Sequence, residues 1–503
     1  MLKRLKVSFH SVYILFMTGV MLLQMFFWSS PAHQQKISAV YLWPAAIVML
    51  VLLLRRMRGK LPAGMPVMLG MVAWVFVTCI VNGDPYLTFN HQFMLGTLLS
   101  FGLCYPTFLL VEREKRTQWM MVFGGAVVGA LVLLSWAGIY VALLNTAIVS
   151  PFSGEAIRIN ENRLYAFSMH PNEIACLLVS GLFLSVSFVY AAKRRWSKAC
   201  GIVCAVSCYL AVALTVSRTA AIIVSVGLGM LVFLLVIGAL RDKKQLLCIA
   251  CGGGAAILTA ALLFFSFSGV VSLVAGVAEW IGEVRQAPNA VSIEVAPVIA
   301  SASAEGLEDT RRSEEGNKSG VLEGGAMPTA SSRAVASAQA NAAVGPQQRD
   351  IMKDLSTFTN RTEIWGAGIQ TLKDRPLTLL TGMLDSQVAR IPRNMLGRTE
   401  YHMHNAWLEI ILLTGIPGLA LYLCFVIRLL RSAIRLFFAK AAPFYQRVLA
   451  ILPAVLLING LMEIYPAIAG KPMDMLFYAV SGAVIGFAQE QGKETSAAVL
   501  SET

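Results

Sequence analysis

Residues 219–240 read TAAIIVSVGLGMLVFLLVIGAL, an apolar run without a charged residue. A transmembrane helix needs roughly 20 consecutive, mostly apolar residues, and this run supplies them. Similar runs recur along the whole chain. Together they lie near 9–28, 37–54, 63–81, 93–111, 118–144, 173–192, 199–216, 219–240, 246–265, 404–427, 444–465 and 473–488. The sequence therefore predicts an all-α polytopic membrane protein with about 12 transmembrane helices and one long extracytoplasmic loop.

The composition excludes several classes of protein. Of the 503 residues, 57% are hydrophobic and only 14% are charged, whereas a soluble domain carries about a quarter charged residues. These values exclude a soluble globular enzyme, a disordered chain and a nucleic-acid-binding domain. The net charge of +13 would otherwise suggest a nucleic-acid partner. The positions of the basic residues account for most of that charge without one.

Lysine and arginine alternate between the two sides of the predicted membrane. If the N-terminus is cytoplasmic, the cytoplasmic segments hold 23 of these residues and the short outer segments hold five. Positive charge in short loops marks the cytoplasmic side. The sequence therefore predicts that both the N- and the C-terminus are cytoplasmic.

The chain divides into helical and loop regions. Residues 1–265 are predicted to hold transmembrane helices 1–9, and 404–488 helices 10–12, followed by a cytoplasmic tail at 489–503. Within the outer loop at 266–403, residues 286–349 are rich in Ala, Ser, Gly and Glu, a composition typical of disorder. Residues 350–380 are predicted to contain an amphipathic helix that begins near Arg361 and ends at Pro376.

Two arginines could bind an anionic substrate at the outer face. Arg218 lies in the short turn Ser217-Arg218-Thr219, and Arg361 lies at the first turn of the amphipathic helix. A charge held at the membrane boundary is a functional candidate, and the guanidinium fork matches phosphate oxygens. The alternatives are an Arg218 that extends to lipid headgroups and an Arg361 exposed to solvent.

The histidines suggest where chemistry takes place. All except His10 lie on the predicted outer side. His404 is placed at the start of the tenth span, on one helix face with Leu408, Ile411 and Gly415. Histidine ionises near neutral pH and is a natural general base for an acceptor hydroxyl, although a structural role is the alternative.

Other polar residues near the predicted outer ends of the spans are weaker candidates. His402 is expected to face away from His404 and ranks second to it. His170 and Asn172 enter the sixth span, where they could contact a sugar or serve as a turn and a helix cap. Glu409 and Glu463 could each pair with one of the arginines.

Familiar cofactor motifs are missing from the sequence. It contains no P-loop, dinucleotide fingerprint, zinc-type His/Cys spacing or Gly-x-Ser-x-Gly elbow in a credible context. The nine cysteines lie in apolar runs, where they are expected to pack. The sequence therefore predicts no metal and no cofactor.

The arrangement resembles the O-antigen ligase and polymerase superfamily. The longest local matches are residues 360–365 (NRTEIW) and 404–408 (HNAWL), and the shorter ones are 217–220 (SRTA) and 170–172 (HPN). The likeness extends over roughly residues 160–430. It implies a membrane glycosyltransferase that moves a glycan from an undecaprenyl-diphosphate carrier to a glycan, lipid or protein acceptor at the outer face of the cytoplasmic membrane.

The resemblance also implies roles for individual residues. Arg218 and Arg361 would bind the carrier diphosphate, and His404 would activate the acceptor hydroxyl, in a metal-independent and inverting reaction. Further acceptor or donor contacts are expected from His170, Asn172, His402, Asn405 and Trp365. The long 286–349 insertion and the sequence Leu379-Leu380-Thr381-Gly382, in place of Gly-x-Gly, depart from the family pattern.

Two other functions are compatible with the sequence. A transporter or flippase for a lipid-linked glycan should carry charged residues at mid-membrane depth, where these spans are mostly apolar. A protein O-oligosaccharyltransferase would share the donor chemistry and differ only in its acceptor. The sequence does not separate a ligase from a polymerase.

Overall fold

The computed structural model describes most of the predicted helical segments. The described residues are 9–27, 48, 51, 55, 64–83, 102–150, 156–160, 163–167, 169–240, 245–286, 359–397, 402–464 and 471–502. Nearly all of the predicted span at 37–54, the first half of the span at 93–111, and residues 287–349 lie outside this set.

Helices make up almost all of the described chain. The first half contains α1 (Phe9–Phe27), α2 (Met65–Val81), α3 (Tyr105–Leu109), α4 (Arg113–Leu144), β1 (Ile148–Val149), β2 (Ala156–Asn160), β3 (Arg163–Tyr165), α5 (Pro171–Ala191), α6 (Arg195–Leu214), α7 (Arg218–Ala239) and α8 (Gln245–Gln286). The second half contains α9 (Thr359–Asp374), α10 (Thr378–Thr381), α11 (Asp385–Val388), α12 (Ile391–Leu396), α13 (Ala406–Phe438), α14 (Phe444–Leu449), α15 (Ile451–Asn459) and α16 (Pro472–Glu502).

Six helices in the described part are long and apolar enough to cross a membrane. They cover Glu114–Leu144, Pro171–Ala191, Arg195–Leu214, Arg218–Ala239, Leu247–Phe267 and Ala406–Phe438. The protein is therefore a polytopic helical membrane protein. The total of about 12 spans remains a prediction, since part of the chain lies outside the described residues.

One end of the helix bundle gathers several helix termini. The turn between α6 and α7 receives a hydrogen bond from Arg163, which also binds Asn172 at the start of α5. At the start of α13, the Ala406 amide donates to Gly460 and Glu463, which follow α15. We call this end, where α5, α7 and α13 begin, the site end.

Local sequence explains where these helices begin. His170 caps α5 and precedes a proline, which fits the first helical turn because its missing N–H has no partner there. Ser217 Oγ accepts from the Ala220 amide at the start of α7. Side-chain acceptors at these positions satisfy amides that the helix cannot pair internally.

A small antiparallel sheet lies between α4 and α5, in the segment that connects the predicted spans at 118–144 and 173–192. Its strand order is β1-β2-β3, with Ile148 opposite Ile157 and Arg158 opposite Tyr165. The strands are too short to give a clear alternation of apolar and polar residues, so the pattern was not visible in the sequence.

Two helices differ in length from the predicted spans. α8 runs for 42 residues and passes the predicted end of its span at 265 because residues 266–286 contain no proline. α13 begins at Ala406 and extends to Phe438, with a break at Gly415. His404 therefore precedes the helix that was predicted to contain it.

Candidate functional site

The carboxylate of Glu463 connects three of the polar residues singled out from the sequence. Its Oε1 accepts from Arg361 Nη2 and from Asn172 Nδ2, both at 2.6 Å. Its Oε2 lies 3.3 Å from His404 Nδ1. Only 4% of the Glu463 side chain is exposed, and a buried carboxylate requires such partners.

Arg163 extends this network to the neighbouring helices. Its Nη2 donates to Asn172 Oδ1 at 2.7 Å, and its Nε donates to the Thr215 carbonyl at 3.1 Å. Asn172 in turn donates its backbone N–H to His170 Nδ1. The network therefore joins β3, the start of α5 and the turn that precedes α7.

His404 lies just outside α13, which corrects the expectation that it shares a helix face with Leu408. Asn405 is the cap: its Oδ1 accepts from the Trp407 and Leu408 amides at 3.0 Å. Asn405 Nδ2 also donates to the Leu461 carbonyl. This cap starts the helix at Ala406, two residues after His404, and allows the imidazole to turn toward Glu463.

His402 contacts His404, contrary to the expectation that it faces elsewhere. The two ring centroids are 4.2 Å apart and the rings are almost perpendicular. The prediction failed because it assumed helical geometry, whereas residues 402–405 lie before α13. His402 Nδ1 is buried and has no hydrogen-bond partner among the described residues.

Arg361 is the third residue of α9, which begins at Thr359. Its Nη1 donates to the Met462 carbonyl at 2.5 Å, so the guanidinium contacts two successive residues after α15. About a quarter of its side chain (24%) remains exposed. Trp365 follows one turn later, and its buried Nε1 has no hydrogen-bond partner within the described chain.

Arg218 is the first residue of α7 and therefore lies at the site end. Three residues earlier, the Thr215 carbonyl binds Arg163. The structure thus places the backbone of Arg218 beside the network that contains Arg361 and His404.

Backbone strain is concentrated at the site end. Among the described residues, the non-glycine residues with positive φ are Asn145 (44°), Phe167 (54°), Val216 (47°) and His404 (50°). Asn145 ends α4 in a conformation that asparagine tolerates. Each of the other three costs of order 1–3 kcal/mol, and such strain tends to occur at functional sites.

Electrostatics fix the charge states of the groups around His404. Burial alone would raise the pKa of Glu463, but the hydrogen bond with His404 and the charge of Arg361 hold that pKa well below its ordinary value. Burial and the charge of Arg163 lower the pKa of His170 to about 4. Burial and His404 lower the pKa of His402 to about 3. At pH 7, Glu463 is ionised and the two flanking histidines are neutral.

From the sequence, Glu463 was assigned only a possible pairing with an arginine, and Arg163 was not singled out. The available signal was their position, since each stands beside an apolar run on the predicted outer side. Both residues bind Asn172, which is 291 residues away from Glu463 and nine residues away from Arg163 along the chain. Such contacts leave no periodic pattern in a sequence.

Residues 201–423 match a family model described as O-Antigen ligase. No curated protein matches the chain. The matched segment includes Arg218, Arg361 and His404, the three residues to which the resemblance gave central roles. Over residues 201–423, the chain is therefore similar to the O-antigen ligase family, and this match supports the resemblance seen in the sequence.

Proposed function

We propose that this protein transfers a glycan from an undecaprenyl-diphosphate carrier to an acceptor hydroxyl, as an O-antigen ligase or a polysaccharide polymerase. The observation that carries the proposal is the junction at Glu463, where Arg361 and His404 bind opposite oxygens of one carboxylate. A phosphate-binding cation and a candidate base are thereby held together on elements far apart in sequence.

His404 is the proposed base. An ionised carboxylate can only accept hydrogen bonds, so its contact with Nδ1 favours the tautomer that carries the proton on that nitrogen. Nε2 then keeps its lone pair for the acceptor hydroxyl. Glu463 would also stabilise the imidazolium that forms when the proton arrives, as the carboxylate does in other carboxylate–histidine pairs.

Arg361 and Arg218 are the proposed diphosphate ligands. The contacts of Arg361 with Met462 and Glu463 occupy two of the five N–H donors that a guanidinium has. Its exposed fraction of 24% leaves it accessible from outside. Electrostatic stabilisation of a developing negative charge usually contributes more to catalysis than any other single effect.

The proposed reaction is a single displacement at the anomeric carbon of the glycan. The acceptor oxygen forms a bond to the anomeric carbon while the bond from that carbon to the phosphate oxygen breaks. The hydroxyl proton moves to His404, and the carrier diphosphate leaves with the electron pair. Attack opposite the leaving group inverts the anomeric centre. The step requires neither a metal nor a cofactor.

We place the site end at the outer face of the bacterial cytoplasmic membrane. At the opposite end lie basic residues that flank helix termini, including Lys193, Arg194, Arg195 and Lys198. Their abundance supports a cytoplasmic assignment for that end. By the same argument, both termini of the chain would be cytoplasmic.

The test measures release of carrier diphosphate from a synthetic undecaprenyl-diphosphate oligosaccharide by the purified protein. Arg218→Ala, Arg361→Ala and His404→Ala should each lower the rate, His404→Ala by about 10²–10⁴-fold. Arg158→Ala is the matched control, because Arg158 is an exposed arginine of β2. The size of the glycan product separates polymerisation from ligation.

Two results would contradict the proposal. If wild-type protein binds the donor but releases no diphosphate in the presence of acceptors, a transporter becomes the better explanation. If His404→Ala reacts at the wild-type rate, histidine is not the base. Equal losses in Arg158→Ala and Arg361→Ala would show a general charge effect in place of a specific ligand.

A further inference from the structure

α13 is broken at one point along its length. At this break, a segment from some 30 residues earlier in the chain packs against it. Gly415 has φ 66° and ψ −171°, which breaks the helix, and Pro417 follows within it. A Cβ added to Gly415 would lie 2.8 Å from the carbonyl oxygens of Leu379 and Leu380. The turn at residues 376–383 therefore packs directly against the break, and only glycine leaves room for it.

Hydrogen bonds satisfy the backbone of this turn without solvent. Five successive amides, from Thr378 to Gly382, donate to carbonyls within residues 375–378, at 2.8–3.1 Å. The Met383 amide donates to the Leu412 carbonyl of α13 at 2.8 Å. The chain thus pairs its own amides where the helix is broken.

Side chains of α2 satisfy two further carbonyls. Trp74 Nε1 donates to the Thr414 carbonyl at 2.7 Å, immediately before the break. Asn82 Nδ2 donates to the Thr381 carbonyl at 3.2 Å, within the turn. Irregular backbone is tolerated at membrane depth only when its polar groups are satisfied in this way.

The outward side chains of the turn are apolar. Leu377 is 74% exposed and Leu380 is 59% exposed. On α13 beside them, Ile416 is 52% exposed. Leu377 and Leu380 make up the outward apolar surface of the turn, which we call the leucine patch.

The position of the break along α13 sets its depth. Residues 410–427 contain no charged residue, and they span about 27 Å at 1.5 Å per residue, close to the thickness of the hydrocarbon core. Gly415 is the sixth residue of this run, which puts the break roughly 8 Å inside its edge. The turn that contacts Gly415 shares that depth.

We propose that residues 376–383 form a turn embedded in the outer leaflet, and that the leucine patch contacts the acyl chains of membrane phospholipids. This inference places the turn in the membrane, whereas the sequence suggested that the whole of 266–403 lies outside it. Because α9 ends at Asp374, next to the turn, the embedded turn would hold α9 and Arg361 at the membrane surface. The proposal does not depend on the chemistry proposed for His404.

The experiment uses photo-crosslinking in vesicles of phosphatidylethanolamine and phosphatidylglycerol. The full chain carries a benzoylphenylalanine residue in place of Leu377, Leu380, Ile416 or Gln387, one position at a time. Gln387 is exposed and lies in the same loop region, so it serves as the aqueous control. Ile416 lies in the charge-free run of α13 and serves as the lipid-facing control. Mass spectrometry measures the yield of lipid adducts.

The proposal expects adducts at positions 377 and 380 with the yield found at 416, and none at 387. Yields at 377 and 380 that match position 387 would overturn it. Crosslinks from these positions to a second protein chain, without lipid adducts, would also overturn it, because a copy of the protein would then cover the patch. All four side chains are partly or largely exposed, so the substitutions should preserve the fold.

Discussion

Each end of the bundle contains a partly buried arginine–glutamate pair, and the two pairs differ in how fully their arginine is engaged. At the end opposite the site, Arg116 pairs with Glu490, while its Nε and Nη2 donate to the carbonyls of Phe108, Leu109 and Val111. At the site end, Arg361 binds one carbonyl and a carboxylate that Asn172 and His404 share.

The two pairs also differ in how exposed the arginine is and in whether its carboxylate partner binds other side chains. The side chain of Arg116 is 8% exposed, whereas that of Arg361 is 24% exposed. Arg116 thus ties α4 to α16 and to the chain before α4. Arg361 remains open on one side, and its carboxylate partner also fixes an imidazole. A saturated pair supports the fold, whereas an open, shared pair is suited to binding a ligand.

The largest expected contrast comes from removing each arginine in turn. Arg361→Ala should lower the rate of diphosphate release by about 10²–10³-fold, since it removes a donor to the developing charge. Arg116→Ala should instead destabilise the protein by up to about 3 kcal/mol, because it leaves a carboxylate and carbonyls without their donor. Release assays and thermal unfolding in detergent measure the two effects separately.

That contrast would fail if Arg116→Ala lowered the release rate of the folded protein as strongly as Arg361→Ala does. A folded, fully active Arg361→Ala protein would remove Arg361 from the binding site. An Arg116→Ala protein that unfolds at the wild-type temperature would show that the saturated pair contributes nothing measurable to stability.

Glutamate substitutions should give the next largest contrast. Glu463→Gln keeps the shape of the side chain but presents an amide N–H₂ group where a carboxylate accepted from His404 Nδ1. The imidazole should then lose its orientation, with a fall in rate of about 10–100-fold, as is typical of a supporting carboxylate. Glu490→Gln is the matched control at the opposite end and should leave the rate unchanged. Similar rates for the two variants would refute the orienting role.

A smaller effect is expected from pH, because His170 and His402 have lowered pKa values in the folded protein. Between about pH 6.5 and pH 4, these two histidines are protonated in the unfolded chain but stay neutral in the folded protein. The free energy of unfolding should therefore fall as pH decreases through that window. His402→Gln should reduce the loss of Tm between pH 7.5 and pH 5 by about 2–4 °C. The control is Arg158→Ala, a substitution at an exposed arginine, whose loss of Tm should equal that of the wild type. An undiminished loss in His402→Gln would show that His402 is not a source of the pH dependence.

The smallest expected effect concerns backbone strain. Val216 precedes Ser217 and Arg218 with φ 47°, a conformation that asparagine adopts more readily than a β-branched residue. Val216→Asn should therefore raise Tm by about 2 °C if relief of strain exceeds the loss of apolar contact. At the opposite end, Gly64 also has a positive φ (96°), but as a glycine it has no side chain to be strained there. A lower Tm for Val216→Asn would show that packing of the valine outweighs its strain.

The sequence predicted the fold class well because membrane helices produce a strong local signal. Apolar runs such as 219–240 require no knowledge of the rest of the chain, and α7 begins within two residues of the predicted start. The break at Gly415 was missed because it depends on a contact with Leu379 and Leu380, and the sheet at 148–165 was missed because its strands are too short to show a clear alternation.

The candidate site was predictable in its residue types but not in its connections. Arg361, His404 and Asn172 stood out because polar side chains are rare near apolar runs. The expected pairing of Glu463 with an arginine is confirmed by Arg361. The contacts of Glu463 with His404 and Asn172 were not predicted, since these residues are 59 and 291 residues away along the chain. The predicted orientation of His404 was wrong because the N-cap at Asn405 makes the helix begin later along the chain than apolar periodicity suggests.

α8 is longer than the bilayer is thick, so its end is held away from the membrane. Its 42 residues measure about 63 Å, whereas a bilayer with its headgroups is about 40–45 Å thick. A tilt of about 20°, the average for such helices, removes only a few ångströms of that excess. Its apolar window ends at Phe267, so the final turns project beyond the bilayer at the site end. A reporter or affinity tag inserted directly after Gln286 would thus be held beyond the lipid headgroups, at the end of a helix that extends past the bilayer.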